Sequence, residues 1–202
     1  MKAFYETAHI VYGTDYSKLT ISPIITLKRG TDLKKMESLV DEAIACGYFK
    51  GIDLIGSEKY SPEQYSLIFE KAHKSGMICM AHIGEYSDPI LVMRYIEALN
   101  LDAIMHGITV VNSKEAMKLI RERKITLHLC PTSNVNLGYV ESYATHPIKY
   151  FIKNGIKVTI NTDDRLIFGS SITEEYIKLY KSGCLLAEEL DKIRLDGLGF
   201  FK

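Results

Sequence analysis

Five side chains carry most of the chemistry available to this sequence: His82, Glu85, His106, Asp163 and Asp164. Imidazole nitrogen with carboxylate oxygen is a ligand set suited to Zn2+ or another borderline divalent metal. Each group follows a short apolar run. Met80-Ala81 leads into His82-Ile83-Gly84-Glu85, Ile104-Met105 into His106-Gly107, and Thr159-Ile160-Asn161-Thr162 into Asp163-Asp164. Singly, each has a plainer reading. A histidine after a strand is often a hydrogen-bonded structural residue, Asp is a preferred helix N-cap, and Glu85 fits a solvated loop carboxylate. Together the plainer readings weaken, because capping a helix does not call for two histidines on neighbouring strands beside an Asp pair. Among the other histidines, His128 lies inside an apolar run and reads as a core residue or a support for a ligand. His73, beside Lys71 and Lys74, reads as solvent-exposed, and His9 has no partner pattern.

The apolar runs that must position these groups are Ile21–Leu27, Gly51–Ile55, Met77–Ala81, Ala103–Met105, Ile125–Leu129 and Ile156–Ile160. Continuous apolar runs of this length suit strands buried on both faces. Between them the period is helical: Leu33, Met36, Leu39, Val40, Ala43 and Ile44 form one stripe, with Lys34, Lys35, Glu37 and Asp41 facing away. Ser61-Pro62-Glu63-Gln64 predicts a capped helix start with Gln64 reaching back. Gly47, Gly76 and Gly155 stand where a left-handed residue ends a helix at little cost. Strand and helix alternate with short connections, which predicts an α/β fold around a parallel sheet. In such folds the carboxyl ends of the strands converge on one face that carries the site. A short helix is expected within the first eighteen residues.

The chain has 202 residues, 47 % of them hydrophobic, and 25 basic residues balance 25 acidic ones. That is one domain, residues 1–202, with enough chain to build a core. The balance excludes the basic footprint of a nucleic-acid binder. No stretch approaches the ~18 apolar residues of a membrane helix, and no signal-peptide core is evident. Cys46, Cys79, Cys130 and Cys184 are far apart and read as small core residues of a reducing cytoplasm.

The series Gly51-Ile52-Asp53-Leu54-Ile55-Gly56-Ser57-Glu58, Ala81-His82-Ile83-Gly84-Glu85, His106-Gly107, Cys130-Pro131-Thr132-Ser133-Asn134, His146-Pro147 and Asn161-Thr162-Asp163-Asp164 resembles the adenosine deaminase family in order and spacing. Glu174-Glu175-Tyr176 and Ala187-Glu188-Glu189-Leu190 resemble its closing helices. The resemblance spans about residues 20–200 and implies a TIM-type (β/α) barrel. By the same resemblance His82 and Asp163 are zinc ligands and Glu85 is the acid that protonates purine N1. His106 orients the zinc-bound hydroxide, Asp164 bonds purine N7, and the Gly56 N–H meets purine N3. The implied reaction is zinc-dependent hydrolytic deamination of adenosine to inosine and ammonia. A metal lowers the pKa of bound water toward about 7, and an acid placed as Glu85 is lets the ring accept the electrons. The H-x-E with P-C-x-x-C signature of the cytidine-type deaminases is absent.

Three departures qualify this. No H-x-H pair occurs in the chain, so two of the four usual zinc ligands are absent. By motif order Ile21–Leu27 corresponds to the third barrel strand, so the expected fold is an incomplete barrel of about strands 3–8 of eight. Arg165 stands where the family commonly has proline and is placed to pair with Asp164. Phe200-Phe201-Lys202 falls just short of the end of the family's terminal helix. A complete (β/α) barrel typically needs about 250 residues.

These departures define the alternatives: a catalytically inactive fragment, or a subunit of a split purine deaminase completed by an N-terminal fragment. A homo-oligomer, an adenine deaminase and a metal-dependent amidohydrolase of another substrate class complete the set. The expected partner is a small-molecule purine nucleoside, with no nucleic acid and no membrane. Open sheet edges are expected at Ile21–Leu27 and at Ile156–Ile160.

Overall fold

The computed structural model describes residues 21–200. The helix expected in the first eighteen residues lies outside them. Six strands, β1 (Ile24–Lys28), β2 (Gly51–Ile55), β3 (Ile78–Ile83), β4 (Ala103–His106), β5 (Thr126–Leu129) and β6 (Val158–Ile160), form one sheet in sequence order. All five pairings are parallel. The intervening helices are α1 (Leu33–Cys46), α2 (Ser66–Lys74), α3 (Pro89–Leu99), α4 (Lys114–Glu122), α5 (Pro131–Asn136) and α6 (Ile148–Lys153). After β6 come α7 (Arg165–Phe168), α8 (Ile172–Lys181) and α9 (Ala187–Leu198). The expected partial α/β barrel is what forms.

Register explains the division of labour between the two sheet faces. Leu27, Leu54, Ala81, Ile104, Leu127 and Val158 align across the six strands. All are buried, in one core with Val40 and Met36 of α1, Phe69 of α2, Ile96 of α3, Ile120 of α4 and Phe151 of α6. The neighbouring row, one residue along and so on the opposite face, is Lys28, Ile55, then His82, Met105, His128 and Thr159. An apolar face is thus sealed by helices while the other face collects polar groups.

Several local expectations change. Ser61 does not cap a long helix; Pro62–Tyr65 is a 3-10 turn before α2. The Ser61 hydroxyl bonds the Glu63 carboxylate, and Gln64 Nε2 donates to the Ser61 carbonyl at 2.9 Å. Leu33 and Leu39 of the α1 stripe stay exposed, because β1 is the edge strand of the sheet and no described strand or helix extends beyond it. Cys46 is exposed, unlike the other three cysteines, since it closes the last turn of α1 just before the left-handed Gly47. β6 pairs only with β5 and is the other edge strand of the sheet, but α9 packs beside it, Gly197 lies against Thr159, and the Phe200 ring meets His128 edge-on at 4.6 Å. His73 is half-buried rather than exposed; its Nε2 lies 2.6 Å from the Asn100 carbonyl.

Candidate active site

The site is built at the carboxyl ends of the strands. His82 points from the polar face of β3, and its Nδ1 donates to Asp53 of β2, 3.0 Å from Oδ2. Asp53 is a carboxylate in the middle of a buried strand, and by accepting the Nδ1 proton it leaves Nε2 of the neutral His82 ring with the free lone pair. Metal-binding histidines are commonly oriented in this way. Burial opposes protonation of His82, but the Asp53 hydrogen bond and the charges of Asp53 and Asp163 outweigh it, raising its pKa.

His106 belongs by register to the helix-facing side, aligned with buried Ile83. Its φ of 66° turns the chain, and the ring stands 5.4 Å from that of His82. Its Nδ1 is 3.7 Å from Glu85 Oε1 and its Nε2 is 3.9 Å from Asp163 Oδ2. Asp163 also has positive φ, 56°. Left-handed backbone at two non-glycine residues costs roughly 1–3 kcal/mol each and clusters at functional sites. Burial, aided by nearby His82, pushes the His106 pKa down to about 4.

Glu85 is not the solvated carboxylate of the plainer reading. Burial, with the charges of Glu58 and Asp163, pushes its pKa up to about 7, and its Oε1 is buried without a partner. The loop carrying it is held by Glu58, itself buried, whose carboxylate accepts from the amides of Gly84, Glu85 and Ser87 at 3.1, 3.1 and 3.0 Å. Gly84 has φ 75°, and a Cβ there would meet Val92 at 2.9 Å and the Gly107 Cα at 3.1 Å. The glycines of both histidine motifs therefore let the two loops touch. Arg29 ties three strand ends together, donating to Tyr95 Oη, the Gly56 carbonyl and the His82 carbonyl at 2.9, 2.9 and 2.6 Å.

Asp164 takes the plainer reading at least in part. Its Oδ1 accepts from the amides of Leu166 and Ile167 at 2.9 and 3.2 Å, capping α7, and Gly56 adopts φ 101° at the end of β2. Beside Glu85 a cleft of about 860 Å³ opens, lined by Tyr86, Tyr139, His146 and Lys149 among others. The C-P-T-S-N helix, α5, is anchored from α8: Thr132 N donates to Glu175 at 3.0 Å, and Lys178 reaches the Thr132 hydroxyl at 3.0 Å.

A metal fits the chemistry of these residues but not their number. His82 and Asp163 offer an oriented nitrogen and a carboxylate, whereas a hydrolytic zinc takes three protein ligands and a water. Cys130 also lies with His106 and Asp163 within 4.8 Å; burial raises its thiol pKa, and a metal bound there would have to displace that proton. A second cluster, His73, Cys79 and Asp102, is accounted for by structure: Asp102 accepts from the Cys79 amide at 2.8 Å, and His73 bonds Asn100.

Asp53, Glu58, Arg29, Asn134 and His146 were not singled out as site residues by the sequence. A charge inside the run Gly51–Ile55 was the available signal for Asp53. Glu58, Asn134 and His146 stood within motifs without an assigned task.

A parallel sheet of six strands, helices on its outer face and a histidine–carboxylate cluster at the strand ends define a (β/α)-barrel enzyme fold. Solved structures agree. Adenine deaminase from Arthrobacter aurescens superposes with TM-score 0.86 at 21 % identity, over 98 % of this chain and 60 % of that one. An amidohydrolase from Burkholderia ambifaria solved with bound Zn gives 0.82 at 22 %, over 97 % and 54 %. The adenosine deaminase family model matches residues 20–199, and the chain belongs to the adenosine deaminase family.

A Treponema pallidum protein provisionally named adenosine/adenine deaminase is 35 % identical over 151 residues, 74 % of this chain and 50 % of its own length. A Clostridium botulinum adenosine deaminase is 41 % identical over 143 residues, 70 % and 42 %. The chain spans about half the length of these curated relatives. No helix among the described residues is long and apolar enough to cross a membrane.

Proposed function

We propose that residues 1–202 form one deaminase-like domain carrying the proton-handling half of a zinc-dependent purine deaminase site, with adenosine as substrate. The observation that carries this reading is Glu85: a carboxyl pushed up to about 7, its Oε1 buried and unpartnered, 3.7 Å from His106. A general acid works best with a pKa near the operating pH, and an unpartnered buried oxygen is satisfied when a ligand nitrogen arrives. Glu85 would protonate purine N1 as water adds to C6; ammonia then leaves and the 6-oxo purine remains. His82 and Asp163 would hold zinc, whose contribution is to supply hydroxide at neutral pH. His106 would orient the attacking oxygen. Asp164, released in part from its cap, and the Gly56 N–H would fix the purine ring. The Clostridium relative favours adenosine, and the Treponema relative's name keeps adenine as the second substrate.

A completing segment is the second part of the proposal, favoured by the count of ligands. With His82 and Asp163 as the two residues that match the family's zinc ligands, full activity would need further ligands from a segment outside the described residues or from a second polypeptide. The wholly exposed Leu166 and the exposed Ile167 beside Asp164 are apolar surface that such a segment would cover. The free cysteines support a cytoplasmic setting. The test is Glu85→Gln in the full chain, assayed spectroscopically for adenosine and adenine deamination with and without an H-x-H-bearing fragment of a relative. The variant should lose at least ~10²-fold in turnover in whichever condition supports it. Equal turnover by both forms would remove Glu85 as the acid.

A further inference from the structure

We infer that Asn134 and His146 are positioning residues, linked in a one-way hydrogen-bond chain that starts at the Ile148 backbone N–H and fixes His106 with its proton on Nε2. The inference rests on the proposed role of His106 only for its functional meaning; the chain of bonds stands on geometry.

The direction follows from one group that cannot reverse. A backbone N–H only donates. The Ile148 N–H lies 3.2 Å from His146 Nδ1, so that nitrogen must be the acceptor. Neutral His146 then carries its proton on Nε2, which faces Asn134 Oδ1 at 3.3 Å. An amide that accepts on its oxygen presents its NH2 the other way, and Asn134 Nδ2 lies 3.2 Å from His106 Nδ1. His106 Nδ1 is therefore an acceptor too, and the remaining proton sits on Nε2, 3.9 Å from Asp163 Oδ2. Turning the Asn134 amide over would set two donors or two acceptors face to face, so the order is fixed without reference to which amide atom is nitrogen. All three side chains are buried, Asn134 completely, so each polar atom in the chain depends on the partner it faces. Burial also holds His146 at about 4, keeping it neutral near pH 7.

The consequence is a defined polarity at the mouth. With Nε2 protonated and Nδ1 engaged, His106 can hold an attacking oxygen by donating to it but has no lone pair there with which to take its proton. The Cys130–Asn134 and His146-Pro147 motifs, sixteen positions apart from Cys130 to His146, thereby acquire one shared task.

The test uses the metal-free full chain labelled with 15N-histidine, so it needs no turnover and is independent of whether the deaminase reading holds. Long-range 1H–15N correlation near neutral pH reads the protonated nitrogen of each ring. In the wild type both His106 and His146 should be pure Nε2–H. Asn134→Asp replaces the donor facing His106 with an oxygen that only accepts, so His106 should gain a proton on Nδ1. His146→Gln keeps an N–H that can donate to Asn134 and should leave His106 as Nε2–H, which also covers the case in which the aspartate variant does not fold. A wild-type His106 protonated on Nδ1, an Asn134→Asp protein whose Nδ1 stays bare, or a His146→Gln protein that loses the Nε2–H form would each overturn the proposal.

Discussion

Replacing Glu58 by glutamine separates two things that this one carboxylate does. Its oxygens accept three backbone N–H groups of the Glu85 loop, two at Oε2 and one at Oε1. A glutamine placed with its carbonyl at the Oε2 position keeps the Gly84 and Ser87 bonds but turns its NH2 toward the Glu85 amide. One buried N–H left without an acceptor costs about 1–3 kcal/mol, and the two surviving bonds lose their charge assistance. The total is about 2–4 kcal/mol, a large share of the 5–15 kcal/mol typical of a domain. With a urea slope of about 2 kcal/mol/M the midpoint should fall by about 1–2 M. The second effect is electrostatic. After burial, the Glu58 charge is the next cause of the raised Glu85 pKa, so removing it should lower that pKa from about 7 while leaving it above the ordinary value, because burial remains. Urea titration by circular dichroism and 13C-carboxyl NMR of Glu85 read the two effects separately. An unchanged midpoint would show that Glu58 does not hold the loop, and an unchanged Glu85 titration would show that the Glu58 charge does not raise its pKa.

Three further outcomes follow from the same geometry. His128 and His146 are each held at about 4 against 6.5 unfolded, first by burial. Their contribution of about 3 kcal/mol each should be present above pH 6.5 and lost as pH falls toward 4. Glu85, raised from 4.5 to about 7, works in the opposite sense, its stability being lost as pH rises through that range. Urea midpoints measured from pH 7 to 4 should therefore decline, and His128→Asn should flatten the slope; an unchanged slope counts against the burial of His128. Gly84→Ala places a Cβ 2.9 Å from Val92 at φ 75° and should lower thermal stability by about 2–4 kcal/mol, whereas a melting temperature equal to wild type would mean the two loops do not touch. Elemental analysis of the dialysed full chain should find less than one zinc per chain, since described residues offer two of the usual ligands; one tightly held zinc with normal adenosine turnover would contradict the ligand count.

The sequence was most legible where the physics is local. Short apolar runs marked β2 and β4 to within a residue, because a strand buried on both faces needs little beyond its own composition. The closing helices α8 and α9 were legible only through the family resemblance of Glu174-Glu175-Tyr176 and Ala187-Glu188-Glu189-Leu190; the capping box that starts α8, Ser171 with Glu174, was a local signal left unread. Edges were less legible. Whether Leu33 and Leu39 are buried depends on what lies beyond β1, and what packs beside the β6 edge depends on where α9 returns. Neither is encoded in the segments themselves.

For the site, sequence order fixed the residue types and their delivery to one mouth, because parallel strands bring their carboxyl ends together. His82, Glu85, His106 and Asp163 were readable on that ground. What makes each of them useful was decided only in three dimensions. His82 has a directed lone pair because Asp53, 29 positions away, sits on the neighbouring strand. Glu85 is an acid near pH 7 because it is buried beside Glu58 and Asp163. His106 has a chosen tautomer because the Ile148 N–H, 42 positions on, sets the direction of three bonds. A side chain's identity is local, but its proton affinity and orientation are properties of the charges, donors and excluded water around it, and those come from chain segments that only folding brings together.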